Sequence, residues 1–323
     1  LKTTVDSITH IVLGGCIGEV VAGKKIGKKA IIIGAAAQSL PDIDVVASLW
    51  LSPASDLLAH RGFTHSILFA LLASTVLGWA ATRWLKASEI TLKHWSIFFG
   101  LEIVTHLFLD AFNAYGTGWF EPFSHIRVSF NMLFVADPFL SAPVAIGFLF
   151  LLLVSITNTK RNTVAWLAIV WCGTYLTYAG INKAVVDSIV RENLTEQKIS
   201  YEGYFSTPTP LNSWLWYVVA SNDSGNYISY RSVFDRGRVM RFEFFDRGEA
   251  LLSTVEGGED VKKLRRFSQG FYSAELWGDT LVFNDHRFGQ MIGWKEPRAK
   301  FVFHYFLNHP HANDMIIQRG RFK

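Results

Sequence analysis

Six runs of this chain are apolar enough to lie in a membrane, and the ionisable residues inside them constrain the fold more than any other feature. The runs cover about residues 9–23, 30–51, 64–82, 95–112, 133–157 and 163–182. A helical span takes about 20 apolar residues. The expected architecture is therefore mainly α: a polytopic helical membrane bundle of about six apolar helices. Within these runs the sequence places Thr9-His10, Pro41-Asp42-Ile43-Asp44 and His106 with Asp110, and the stretch His60-Arg61-Gly62-Phe63-Thr64-His65-Ser66 opens the third. Ionisable groups at membrane depth are costly and mark function. Imidazoles and carboxylates gathered from several helices are the ligand types of a borderline-hard metal.

The connectors fix an orientation. Lys24, Lys25, Lys28 and Lys29 follow the first run, Arg83, Lys86 and Lys93 separate the third from the fourth, and Lys160 and Arg161 separate the fifth from the sixth. If the helices alternate, these cations share one side, and the opposite connectors hold only Arg61 and Arg127. The positive-inside rule assigns the cation-rich side to the cytoplasm. His10, Asp42 and His106 each follow or precede the nearest of those lysines by 13 or 14 residues. At the helical rise this is roughly 20 Å, so the three share one depth in the outer half of the bilayer.

A composition break near residue 182 divides the chain. Residues 1–182 hold 12 Lys and Arg with 10 Asp and Glu, against 19 and 17 in the shorter remainder. This predicts a membrane-embedded domain over 1–182 and a soluble, β-rich, extracytoplasmic domain over 183–323. In the latter, 183–200 reads as an amphipathic helix leaving the membrane. The stretches 214–220, 227–234, 239–245, 281–283 and 299–305 alternate like strands. No basic patch interleaved with aromatics points to nucleic acid. Cys16 and Cys172, far apart in apolar runs, read as buried thiols.

The chemistry follows from residue types. His106 and Asp110, four apart, share a helical face. Glu102 lies one turn before His106 on that face and could orient a ligand. Arg61 sits between two histidines, and a guanidinium forks onto phosphate oxygens. Several carboxylates with imidazoles can hold one or two divalent ions, which acidify water and clamp the oxygens of a phosphoester. Glu121, His125, Arg127 and Asp137 read as contacts of an outer loop, Glu19 as an ion-pair partner. Asp285-His286-Arg287 and His309-Pro310-His311 read as surface residues. A His-Glu-x-x-His motif, a glycine-rich phosphate loop and a Gly-x-Ser-x-Gly elbow are all absent from the sequence, which disfavours a zinc protease or a serine hydrolase.

Asp6-Ser7-x-Thr9-His10, Leu40-Pro41-Asp42-x-Asp44, His60-Arg61-Gly62-x-Thr64-His65-Ser66 and His106-x-x-x-Asp110 together resemble the YdjM-type (LexA-regulated) family of inner-membrane metal-dependent hydrolases. The resemblance covers about residues 5–155. A more distant likeness reaches the zinc-dependent phospholipase C group, whose later His-x-x-x-Glu pair this chain lacks. The resemblance implies His10, Asp44, His60, His65, His106 and Asp110 as metal ligands, with Asp42 a ligand or an acid behind one. With Asp42, Arg61 and Glu102 in catalytic roles, the expectation is a metal-dependent hydrolase of the bacterial inner membrane, multi-pass, using Zn2+. Its site and C-terminal domain would face the periplasm. It would cleave a phosphoester in a lipid or lipid-linked substrate, with the bilayer as its partner. The alternatives are a transporter or ion-handling protein using the same buried cluster, and a metal-stabilised scaffold.

Overall fold

The computed structural model describes residues 6–85, 90–237, 239–255 and 258–307. Lys86, His309 and His311 lie outside the described residues. The chain forms two compact units, one of residues 1–47 and 59–178, the other of 48–58 and 179–323.

The first unit opens with a helical hairpin, α1 (Asp6–Ile26) and α2 (Lys29–Gln38). Gly27, at φ +62°, turns the chain between them. Glycines let the two backbones meet: a Cβ on Gly34 would stand 2.2 Å from the Gly14 carbonyl oxygen, and one on Gly18 2.2 Å from that of Ala30. Small residues at crossings are how helices pack where no hydrophobic force drives them together.

Pro41 has no N–H to continue the helical ladder. The α-helix ends at Gln38, and a 3-10 segment, Leu40–Leu49, continues at an angle of 49°. The acids Asp42 and Asp44 therefore sit on bent backbone. After α3 (Pro53–Ala59) comes the tight turn Phe63–His65, then α4 (Ile67–Trp84), capped by the Ser66 hydroxyl on the Phe69 N–H. Helix α5 (Leu92–Asp110) is capped by Thr91, and α6 (Pro138–Leu153) by Asp137.

Helix α7 (Arg161–Glu196) runs 36 residues without a break. The sixth apolar run and the amphipathic stretch after it are thus one helix. Its first residue, Arg161, meets Glu19 of α1 through two bonds of 2.9 and 2.6 Å and also binds the Leu151 carbonyl at the end of α6. Both charges are buried, and Arg161 is the partner that Glu19 requires.

By length and composition, α4 and α7 can cross a membrane, and the bent pair of α2 and the 3-10 segment makes a third if it counts as one span. Among the described residues the candidate spans thus number two or three. Helices α1 and α5 carry acids and bases along their length, including residues of the site, and α6 is shorter.

The second unit holds two antiparallel sheets. The first, in order β1 (Gly203–Pro208), β2 (Leu215–Asn222), β3 (Gly225–Ser232) and β4 (Glu243–Asp246), packs one face on the later turns of α7. Val186, Val190 and Leu194 of the helix meet Trp216, Val218 and Ala220 there. The short helices α8 (Glu249–Leu252) and α9 (Glu259–Ser268) lead to the second sheet, β5 (Tyr272–Trp277), β6 (Thr280–Gln290) and β7 (Phe301–Phe306). Phe301 joins Phe205, Tyr217, Val219 and Ile228 of the first sheet in a shared core.

The run Asp285-His286-Arg287 corrects its surface reading, since all three residues are buried. Asp285 and Arg287 neutralise each other at 2.7 Å, and the Arg287 guanidinium lies over the rings of Phe267 and Phe288. His286 faces the Ser273 hydroxyl at 2.7 Å and stacks on Phe301 at 3.9 Å between centroids.

Candidate metal centre

Four side-chain atoms converge where α1, the 3-10 segment, the Phe63–His65 turn and α5 meet. They belong to Asp42, His65, His106 and Asp110 and lie within 4.8 Å of one another. His65 Nε2 stands 3.1 Å from His106 Nε2 and 3.1 Å from Asp110 Oδ2. His106 Nε2 is 3.5 Å from both Asp110 Oδ2 and Asp42 Oδ1, and His65 Nε2 is 3.7 Å from that same Asp42 oxygen. His65, His106 and Asp110 are buried, whereas the Asp42 side chain keeps 19% of its surface exposed.

Other residues hold these four in place. Asp44 stands behind His65: its Oδ2 is 3.3 Å from His65 Nδ1 and accepts from the Arg61 backbone N–H at 2.7 Å and the Thr64 hydroxyl at 3.2 Å. Its Oδ1 lies 3.1 Å from His60 Nδ1. His10 Nε2 contacts the far oxygen of Asp110 at 3.1 Å, and its ring lies 3.9 Å from that of His106. Ser7 donates to Asp42 at 3.2 Å.

Arg61 is 3% exposed and adopts φ +55°, a left-handed conformation uncommon for a side chain of its size. That backbone turns its N–H to Asp44, while Nε reaches Asp110 Oδ2 at 3.0 Å and Nη1 donates to Asn113 Oδ1 at 2.6 Å. The guanidinium also lies over Tyr115. The loop after α5 locks this turn. Gly118 N–H donates to the Arg61 carbonyl at 2.8 Å, and Ile67 N–H donates to that of Trp119 at 3.0 Å.

Of the six residues expected as ligands, the structure brings His65, His106 and Asp110 to one point, together with Asp42. His10 meets that group through Asp110 and His106, Asp44 through His65, and His60 through Asp44. Glu102 lies one turn below His106, fully buried. Its carboxylate has no hydrogen-bond partner among the described residues and points at Gly34, where a Cβ would approach Oε1 to 2.8 Å. In the outer loop, Glu121 pairs with an exposed His125. Arg127 bonds the Gly116 carbonyl. Asp137 is buried, caps α6 and accepts from Tyr175. Asn113 and Tyr115 were not anticipated. Asn113 lies three residues past Asp110, a spacing that could have flagged it.

The donor set suits a divalent cation. Two imidazole nitrogens and two carboxylate oxygens face one another, and Asp110 Oδ2 has close neighbours but no hydrogen bond among the described residues. Tetrahedral bonds of about 2.0–2.1 Å place ligand atoms about 3.3–3.4 Å apart. The separations that involve an imidazole, 3.1 to 3.7 Å, bracket that value, and all four atoms lie within 4.8 Å of one another.

Residues 5–186 match a family model described as YdjM inner membrane protein. Over 142 residues the chain is 35% identical to the Bacillus subtilis (strain 168) protein called "Uncharacterized protein YfhP", a match covering 42% of each chain. Over 122 residues it is 31% identical to "Inner membrane protein YbcI" of Escherichia coli (strain K12), covering 37% of this chain and 69% of that one. The chain thus spans less than half of the first relative and about two thirds of the second. No solved structure matches.

Proposed function

The chain belongs to the YdjM inner membrane protein family, and we propose that it is a membrane-embedded, metal-dependent hydrolase. The observation that carries the reading is the spacing of four donor atoms from Asp42, His65, His106 and Asp110, which suits a tetrahedral divalent ion. Zn2+ is the ion we propose, on the mixed nitrogen and oxygen donors. Bound there, it would supply an acidified water and polarise a substrate oxygen.

The protein's own residues divide the remaining work. Asp44 orients His65 so that Nε2 faces the centre. Arg61, directed at Asp110 and Asn113, is a positioning residue in this reading and not a clamp on phosphate. His60 keeps 21% of its side chain exposed and leans on Asp44, so it is the proposed proton carrier at the open side.

A lipid or lipid-linked phosphoester is the proposed substrate. Helix α5 supports this: Glu102, His106 and Asp110 occupy its buried face, while Ile97, Leu101, Val104 and Phe108 are exposed on the other. A lipid beside that stripe is one helix diameter from the site. The cation bias of the connectors supports a periplasmic mouth.

One observation favours a second reading. Four protein ligands complete a tetrahedron, as in structural zinc sites that need no water. Metal analysis and an assay separate the two. Purified protein should hold close to one zinc, lose it in the His106→Ala, Asp110→Asn variant, and hydrolyse a phospholipid or polyprenyl phosphate only when loaded. Full metal in the variant overturns the site. Metal without hydrolysis of any such substrate favours the scaffold.

A further inference from the structure

We infer that the end of the C-terminal unit beside Asn182 inserts into the headgroup–acyl boundary of the bilayer that α7 crosses. Helix α7 has no charged residue between Arg161 and Lys183, a 21-residue stretch. At 1.5 Å per residue that length is close to the roughly 30 Å hydrocarbon core. Charges then resume at Lys183, Asp187 and Arg191. The bilayer surface therefore meets the helix near Asn182.

The β-domain is tied to the helix at that level. Asn182 Nδ2 donates to the Ser213 carbonyl at 2.8 Å, and Lys183 Nζ to the Ser206 carbonyl at 3.0 Å. Ser213 lies in the turn joining β1 to β2. The register carries the same end across the sheet, since Pro208 pairs with Trp216 and Leu215 with Ser232, at the close of β3. Val233 N–H donates to the Trp214 carbonyl just beyond. Trp294, in the loop after β6, packs its ring edge-on to Tyr230 of β3.

The side chains at this end are apolar and open. Leu211, Phe234, Ile292 and Trp294 are 55%, 71%, 43% and 50% exposed. Arg236 and Lys295 are exposed between them, each next to an exposed acid, Asp235 and Glu296. The far end differs: the β2–β3 turn is Asn222-Asp223-Ser224. Aromatic and aliphatic side chains mixed with cations are the composition of an interfacial anchor. Continuity with the α7 span identifies the occupant as the lipid interface.

The test uses the full chain with Cys16→Ala and Cys172→Ala, reconstituted in vesicles of phosphatidylcholine with phosphatidylglycerol. Single cysteines replace Phe234, Trp294 or, as the far-end control, Asp223, and each carries a small fluorophore. Acyl-brominated lipid should quench the labels at 234 and 294 at least about twofold more than the label at 223, as burial at the acyl boundary requires. Labels at 211 and 292 read the same boundary if either first site disturbs the fold. Equal quenching at both ends overturns the inference. So does a label at 234 or 294 that aqueous iodide cannot reach and brominated lipid does not quench, because a protein partner then covers it.

Discussion

His65 is held from both sides: its Nδ1 stands 3.3 Å from Asp44 Oδ2, while its Nε2 stands 3.1 Å from Asp110 Oδ2. A carboxylate on one imidazole nitrogen fixes which nitrogen keeps a lone pair for a cation. Asp44→Asn should therefore weaken metal affinity about 10- to 100-fold, the usual cost of losing such a partner. Competition with a chromophoric chelator measures it. Unchanged affinity would remove Asp44 from the centre.

Arg61→Ala leaves the buried Asp110 carboxylate without its guanidinium and Asn113 Oδ1 with the Tyr115 N–H alone. Breaking a buried pair from one side costs about 3–5 kcal/mol. Arg61→Lys should recover little, because one ammonium cannot serve both Asp110 and Asn113 as the guanidinium fork does. Denaturant or thermal unfolding in detergent reads both variants. A loss below about 1 kcal/mol for the alanine variant would contradict the pairing.

Gly34→Ala should destabilise the hairpin of α1 and α2. In an ordinary helix this change gains about 0.5–1 kcal/mol. Here the added methyl meets the Gly14 carbonyl at 2.2 Å and the Glu102 carboxylate at 2.8 Å. The clash with backbone dominates, so the melting temperature should fall, and metal content should fall with it as α2 moves from α5.

His286 gives the C-terminal unit a pH dependence. Burial, with Arg247 nearby, holds its pKa down to about 3 from an ordinary 6.5. Between those values the unfolded chain binds a proton that the folded chain refuses, so stability rises with pH across the window. The contribution is complete above about pH 6.5 and falls on acidification by up to about 1.4 kcal/mol per pH unit. Unfolding at several pH values, compared with His286→Phe, should show a shallower slope in the variant. Parallel slopes would contradict the buried neutral imidazole.

Parts of this arrangement were legible and parts were not, for physical reasons. The i,i+4 spacing of His106 and Asp110 places them on one helical face, and the geometry of α5 follows. Which of Asp42 and Asp44 faces the centre was not readable. The two sit one residue apart on a segment bent by 49°, and the bend decides their directions. The contacts of Arg61 depend on a positive φ and on a loop fifty residues later, neither of which has a periodic signature. Apolar runs mark helices well but count spans poorly, since the polar residues that build the centre lower the apolarity of α1 and α5. In the β unit, β1 and β5 are short and weakly alternating. The run around His286 reads as surface because polarity is visible in sequence and mutual neutralisation is not.

The ligand group has a bearing on how the protein is made. His10 and Asp110 touch although 100 residues separate them. At about 5–20 residues per second, the ribosome delivers the second some 5 to 20 seconds after the first. For that interval α1 holds an imidazole whose acidic partner does not yet exist, and Asp42 waits for His106. The centre can form only after α5 has been delivered. A chain stalled before α5 lacks His106 and Asp110, so the cluster they form with Asp42 and His65 cannot assemble in it.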